Sequence, residues 1–302
     1  MSNFHEACAP TCPSSSSCTT NAGISGYNPM TNKRYHSQTH EAMKTVFQVR
    51  LLADDAKLAE QTARACVERI DAIEASLSRY IPGSDVWQIN HMEAGQSLFI
   101  REDCEECLRL AMLAAGATSG LFDVTLGRLI EHQKSAPAGD RPELVGQLML
   151  DPERPMVHCN EAGREIDLGG IGKGFALDML ASLCQEWGIR GGLLSAGAST
   201  QLAFGEAKWD ITLKGDRHTT VVSLKDAALS ASGTSIQGSH IVSPQDGGID
   251  YVHKRAWVRT TSAAMADAFS TAALLATDLS QIQCSSLPVE CFVESETGIH
   301  PI

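Results

Sequence analysis

The chain predicts an α+β fold, with mixed and antiparallel sheets packed against helices, and three observations carry that expectation. Apolar residues recur at helical spacing in four long stretches. Short strand-like runs in the second half follow one another as hairpins, without regular βαβ alternation. A glycine-rich segment at 166–178 leads directly into one of the helices.

Element by element, residues 1–38 are rich in Ser, Thr, Asn, Pro and Gly, with Cys8, Cys12 and Cys18 among them and almost no apolar periodicity, the pattern of a disordered tail. The folded unit is expected to run from 39 to 302. Val46, Phe47, Val49 and Leu51 mark a strand over 44–52, and Asp54 and Asp55 then offer helix-start carboxylates. Leu58, Thr62, Cys66, Ile70, Ile73 and Leu77 step by four, four, four, three and four, drawing one face of a long helix. Pro82 and Gly83 force a turn after it, and Ser84, Asp85 and Asn90 line the connection. A second helix is expected over 103–118, broken at Gly120, and proline-containing loops fill 135–155, the least patterned part of the chain. Phe175, Leu177, Leu180, Ala181 and Cys184 form the buried stripe of a helix ending near Gly188. The runs 209–213, 221–224, 227–232 and 256–259 then carry strand signals with Gly, Asp and Lys turns between them. A last helix spans 262–277, capped by Thr260, Thr261 or Ser262, with Met265, Ala268, Phe269, Ala272 and Leu275 on its apolar side.

Charge narrows the choice of partner. With 24 Lys+Arg against 36 Asp+Glu the net charge is −12, which argues against nucleic acid or an anionic membrane, since both need cationic neutralisation. An anionic ligand would need local cations, backbone amides or a metal. No run of about 18 apolar residues is present to span a membrane. The first forty or so residues hold no apolar signal region, so the sequence as it stands reads as cytoplasmic, with an exported form the alternative if it has been trimmed. Among ten cysteines, Cys66, Cys107 and Cys184 fall in helix interiors, where a reduced thiol acts as a small hydrophobe. Cys104 and Cys107 form a lone C-x-x-C at a helix start, a geometry that can lower a thiol pKa or supply half of a zinc site, though without a second pair it more often does neither.

Two constellations carry chemistry. In the first, Gly169, Gly170, Gly172 and Gly174 surround Lys173 between Asp167 and Asp178, where positive φ, close backbone approach and a helix N-terminus suit a phosphate. Neither the dinucleotide fingerprint nor the P-loop is matched, so an anion-binding loop and a structural turn are equally good readings of these residues. In the second, Asp267 and Thr271 lie four apart on the last helix, an oxygen-bearing edge that suits Mg²⁺. Taken alone, they are explained more simply by the helix dipole and a back-bond to the carbonyl four residues earlier. His240, in a Gly/Ser/Pro loop, is a candidate base, although most loop histidines are merely exposed.

Taken together these segments resemble the ApbE-type FAD:protein FMN transferases over residues 39–277. Ala42-Met43-Lys44-Thr45 is similar to A-M-G-T; Ser78-Arg79-Tyr80, Ser84 and Asn90 to S-R-Y-x-x-x-S-x-x-x-x-x-N; and 122–127 to F-D-x-T-x-G. Residues 167–174 resemble D-L-G-G-I-A-K-G, His240-Ile241 resembles the start of H-I-I-D-P, and 266–271 resembles A-D-A-L-A-T. Six segments in the family's order are specific where one would be weak.

The resemblance implies an ApbE-like FAD-binding catalytic domain at 39–302, with FAD as substrate. It implies Mg²⁺-assisted transfer of FMN to a Ser or Thr hydroxyl of an acceptor flavoprotein, with release of AMP. By position, Asp267, Thr271 and the Gly170 carbonyl would hold the metal. Met43, Tyr80, Leu121, Phe122, Asp123, Asp167, Lys173 and Ile241 would line the FAD site, with Tyr80 suited to stacking. His240 would be the base, and Asp267 is essential to catalysis on this reading. The chain departs from the family pattern at Lys44 and Ser243, at 194–198, where the family reads N-x-G-G, and in the short 234–239 segment before His240. These departures keep two alternatives open: an FAD pyrophosphatase that gives FMN to water, and a flavin binder without catalysis.

Overall fold

The computed structural model describes residues 24–28, 33–135, 141–233, 242, 244 and 251–302. A sheet of nine strands organises them: β1 (Ile24–Asn28), β2 (Lys33–Ala42), β3 (Thr45–Leu52), β7 (Gly191–Ala196), β8 (Thr200–Gly205), β11 (Ala227–Gly233), β12 (Arg255–Thr260), β13 (Glu290–Glu294) and β14 (Ile299–Pro301) lie side by side in that order. Every pairing within it is antiparallel. A small sheet of β4 (Ser97–Phe99), β5 (Gln147–Leu150) and β6 (Met156–Glu161) is ordered β4-β6-β5, and β9 (Trp209–Lys214) pairs with β10 (Thr219–Leu224) as a hairpin. The mixture of antiparallel sheets and helices is the α+β class expected. The tail boundary drawn at residue 38 falls inside β2, the second strand of the sheet, whose mostly polar sequence carries little hydrophobic signal.

Period-two alternation builds two cores. Phe47, Val49, Leu194, Leu202, Phe204, Ala228, Val258 and Val293 point to the helical side, while Leu52, Leu193, Ala203, Leu229, Trp257 and Phe292 point to the other, where Trp209, Ile211 and Leu213 of the β9–β10 hairpin cover them. The helical side is closed by α1 (Ala56–Leu77), α3 (Glu102–Ala117), α5 (Gly172–Glu186) and α6 (Ala263–Ala273), with α2 (Asp85–Ile89) and α4 (Gly127–Ser135) at one end. Asp55 caps α1 by accepting from the Lys57 and Leu58 amides, and Thr62, Cys66, Ile70, Ile73 and Leu77 of the expected stripe are buried. No helix among the described residues is long and apolar enough to cross a membrane.

The β2–β3 hairpin turns on Met43 and Lys44, at φ 49° and 57°, between the paired Ala42 and Thr45. Two positive-φ central residues are the signature of a turn that favours Asn-Gly, and a side chain in that region costs roughly 1–2 kcal/mol.

At the far end of the sheet the Glu294 carboxylate accepts from the amides of Asp216, Arg217 and His218 at 2.7, 2.8 and 2.7 Å. These bonds, the Arg217 amide foremost, bring its pKa down from 4.5 to about 2. A depressed carboxylate stabilises the fold above its unfolded pKa and ceases to do so as pH falls through the folded value, so this contribution disappears between pH 4.5 and about 2. Urea midpoints measured across that window should fall less steeply with acidification in Glu294→Gln than in wild type.

Candidate active site

The glycine-rich segment is held in place before it turns. Asn90, at the end of α2, accepts from the Ile166 amide at 2.7 Å and donates to its carbonyl at 2.9 Å. Arg79, partly buried just beyond α1, donates to Glu165 Oε2 at 2.6 Å, to the Gly127 carbonyl at 2.8 Å and to Asp167 Oδ2 at 3.3 Å. The Asp167 amide bonds the Val124 carbonyl, and Asp167 Oδ1 takes the Gly169 amide at 2.8 Å. The Arg and Asn positions of the 78–90 segment therefore position the loop.

None of the four loop glycines has a positive φ, which corrects the expectation that they supply left-handed backbone. Gly170 and Gly174 are required by close approach instead. A Cβ on Gly174 would lie 2.0 Å from the Ala263 carbonyl oxygen, and one on Gly170 would lie 3.1 Å from Phe122 Cε2 and 3.3 Å from Thr271 Oγ1. The first turns of α5 and α6 touch because no side chain separates them.

Asp178 strengthens that junction. From α5 it accepts from the amides of Ala263 and Ala264 at 2.8 and 2.9 Å and from Ser262 Oγ at 2.8 Å, capping α6 with a carboxylate from a neighbouring helix. Burial pushes its pKa up, against the lowering effect of these bonds. Asp178→Ala leaves three donors without an acceptor and should cost about 2–3 kcal/mol in denaturant unfolding.

Asp267 is 3 % exposed, so the open helix edge expected from the sequence is in fact enclosed, because α6 packs between α5 and strands β11 and β12. Its Oδ1 accepts from Thr200 and Ser230 hydroxyls at 3.2 and 3.1 Å, and these two residues face each other across β8 and β11. Its Oδ2 accepts from the Gly174 amide at 3.3 Å and lies 3.2 Å from Lys173 Nζ, which also donates to the Gly169 carbonyl at 2.9 Å. Thr271 Oγ1 donates back to the Asp267 carbonyl at 3.1 Å, as the simpler reading foresaw.

These groups open onto a cavity of about 660 Å³. It brings together Met43, Tyr80, Leu121, Phe122, Asp123, Asp167, Gly170, Lys173, Asp267 and Thr271, ten positions singled out from the sequence. His240 and Ile241 lie outside the described residues. Lys44, Arg79, Lys134 and Lys173 stand against Glu74, Asp123, Asp167 and Asp267, so among the described residues the cavity is locally balanced in a chain of net charge −12. Lys134 was not anticipated, although Leu126, Ile130 and Lys134 all line the cavity at the four-residue spacing of one helical face. Ser199, in the β7–β8 turn, and Ser232, on β11, also line it and carry no comparable signal, since only the path of the sheet places them there.

A family model described as the ApbE family matches residues 43–287. The chain belongs to the ApbE family. Among solved ApbE structures, the flavin transferase ApbE from Vibrio cholerae superimposes with a TM-score of 0.73 at 18 % identity, covering 88 % of this chain and 96 % of that one. The apo form of Pseudomonas stutzeri flavinyl transferase ApbE gives 0.75 at 22 %, covering 89 % and 94 %. The FAD:protein FMN transferase of Salmonella typhimurium is 24 % identical over 239 residues, 68 % of each chain.

Within this ApbE fold the donor set suits a hard cation. Asp267, Thr271 and the Gly170 backbone offer oxygen alone, and Gly170 approaches Thr271 closely enough that a Cβ would crowd its hydroxyl. Among the described residues no cluster of three or more His, Cys, Asp or Glu exists, so Asp267 would be the one carboxylate in this set, beside a hydroxyl and a carbonyl. The C-x-x-C does not make an activated thiol. Burial, with the Asp85 charge second, raises the Cys104 pKa, and burial drives Cys107 well above its ordinary value.

Proposed function

We propose that this ApbE-family chain is a Mg²⁺-dependent FAD:protein FMN transferase. In this reading a Ser or Thr hydroxyl of an acceptor flavoprotein attacks the FMN-side phosphorus of FAD. The acceptor O–P bond forms, the pyrophosphate bridge breaks, and AMP departs. The observation that carries the reading is the convergence of the Asp167–Lys173 loop and the Asp267/Thr271 face of α6 on one cavity. The family match and relatives that bear this activity's name support it.

Asp267, Thr271 and the Gly170 carbonyl would hold Mg²⁺, which when bound supplies positive charge to the pyrophosphate oxygens. The remaining work falls to the chain's own groups. Thr200 and Ser230 fix Oδ1 of Asp267, so that Oδ2 keeps its orientation toward Lys173. Lys173, held between Asp267 and the Gly169 carbonyl, brings a cation to the loop. Met43, Leu121 and Phe122 give the cavity apolar walls that exclude water, and the exposed ring of Tyr80 offers a stacking surface for the flavin. Asp123 accepts from the Thr125 amide at 2.7 Å and with Asp167 provides acceptors for ligand N–H and O–H groups. His240 is the proposed base that takes the acceptor's proton.

Incubation with FAD and Mg²⁺, with and without a Ser/Thr acceptor peptide, tests the reading. AMP release that requires the acceptor is the expected result. Release without it would establish the pyrophosphatase, and tight FAD binding with no AMP would establish a binder.

A further inference from the structure

We propose that Lys44 is a positioning residue that sets ligand affinity by holding the Tyr80 ring as a fixed wall of the cavity. This rests on the reading of Tyr80 as the surface on which the ligand's aromatic ring system stacks. Three observations converge on it. Lys44 occupies a left-handed turn position, φ 57°, where glycine would be relaxed, so a large side chain there persists against local strain. The turn is itself anchored, since the Met43 amide donates to Glu74 Oε1 of α1 at 2.8 Å. Lys44, itself exposed, places its Nζ 3.8 Å from the centroid of the Tyr80 ring, which is 45 % exposed.

The other cavity cations each have a carboxylate partner. Arg79 pairs with Glu165 and Asp167, Lys173 with Asp267, and Lys134 lies 3.7 Å from Asp167 Oδ2. Among the described residues Lys44 makes no carboxylate pair, so the Tyr80 ring is its principal partner. The ring's hydroxyl is tethered separately, to Glu131 Oε2 at 3.3 Å and to Lys134 Nζ at 3.2 Å. The tyrosine is thus fixed at its hydroxyl by hydrogen bonds and at its ring by a cation at 3.8 Å, with Arg79 and Lys134 farther off at 5.7 and 5.8 Å from the centroid. Its exposed surface, 45 % of the residue, lines the cavity where an aromatic ligand can stack, and the ammonium adds attraction for an anionic one. A flavin dinucleotide has both properties.

The test measures FAD affinity by titration calorimetry and melting temperature in wild type, Lys44→Gly, Lys44→Met, Lys44→Arg and Tyr80→Ala. Lys44→Gly relieves the turn and should raise Tm by roughly 1–3 °C. It should at the same time weaken FAD about 10-fold. Lys44→Met should weaken FAD to a similar extent, and Lys44→Arg, which keeps a cation for the ring, should stay within about 3-fold of wild type. A purely structural lysine would not give affinity and Tm moving in opposite directions. If Lys44→Gly and Lys44→Met bind FAD like wild type while Tyr80→Ala does not, the role of Lys44 is overturned and the stacking reading stands. If Tyr80→Ala also binds like wild type, both fall.

Discussion

Asp267→Asn is expected to reduce FMN transfer by about 10²–10³-fold, the scale seen when a group that organises transition-state charge is removed. Burial of Asp267 adds a second effect. An amide in its place can still accept from Thr200 and Ser230, but it leaves Lys173, 13 % exposed, without its anion. Breaking a buried pair from one side costs about 3–5 kcal/mol, and the partial exposure of Lys173 places this case toward the lower figure. The double variant Lys173→Met/Asp267→Asn removes both charges and should recover most of the stability with none of the activity. Recovery of turnover in either variant, measured as AMP formed per acceptor modified, would exclude Asp267 as a metal ligand.

Gly174→Ala should be the most destabilising single methyl that can be added near the site. The new Cβ would meet backbone, 2.0 Å from the Ala263 oxygen and 2.4 Å from its carbonyl carbon, and backbone at a helix start cannot rotate aside. The N-termini of α5 and α6 would have to separate, pulling Lys173 from Asp267 and Asp178 from the amides it caps. A loss of more than about 4 kcal/mol is expected. Gly172→Ala is the control: its nearest neighbours are Leu168 Cβ and Leu77 Cδ1, both at 3.9 Å, so it should unfold within about 0.5 kcal/mol of wild type. Circular dichroism melts of the two variants make the comparison. Equal melts would mean that the two helix starts do not pack as described.

Long-period features were legible in the sequence. The stripe from Leu58 to Leu77 specified α1, Trp209-Ile211-Leu213 specified a half-buried strand, and Met265, Ala268, Phe269 and Ala272 specified the apolar face of α6. Short or edge elements were not legible. β5 and β6 hide in a proline-rich stretch, β4 is three residues long, and β7 reads as a glycine-started apolar run whose two buried faces leave no alternation.

The site divides in the same way. Asp167, Lys173, Asp267 and Thr271 stand out because their residue types are costly to bury without purpose. Thr200, Ser230 and Ser232 do not, since an ordinary hydroxyl becomes a partner of Asp267 or a cavity wall only through the β8–β11 register. Closeness between elements also left no local trace: Gly174 serves Ala263, which lies far along the chain.

In the proposed function the Asp167–Lys173 loop and the Asp267/Thr271 face of α6 make one metal–pyrophosphate site. Linkage between FAD and Mg²⁺ tests it most directly, because two ligands that share a site must alter each other's affinity by the same factor. Calorimetric titration of FAD with and without Mg²⁺ should show the ion tightening FAD by about 10-fold or more in wild type, with no such gain in Asp267→Asn. FAD affinity indifferent to Mg²⁺ in wild type would contradict the account.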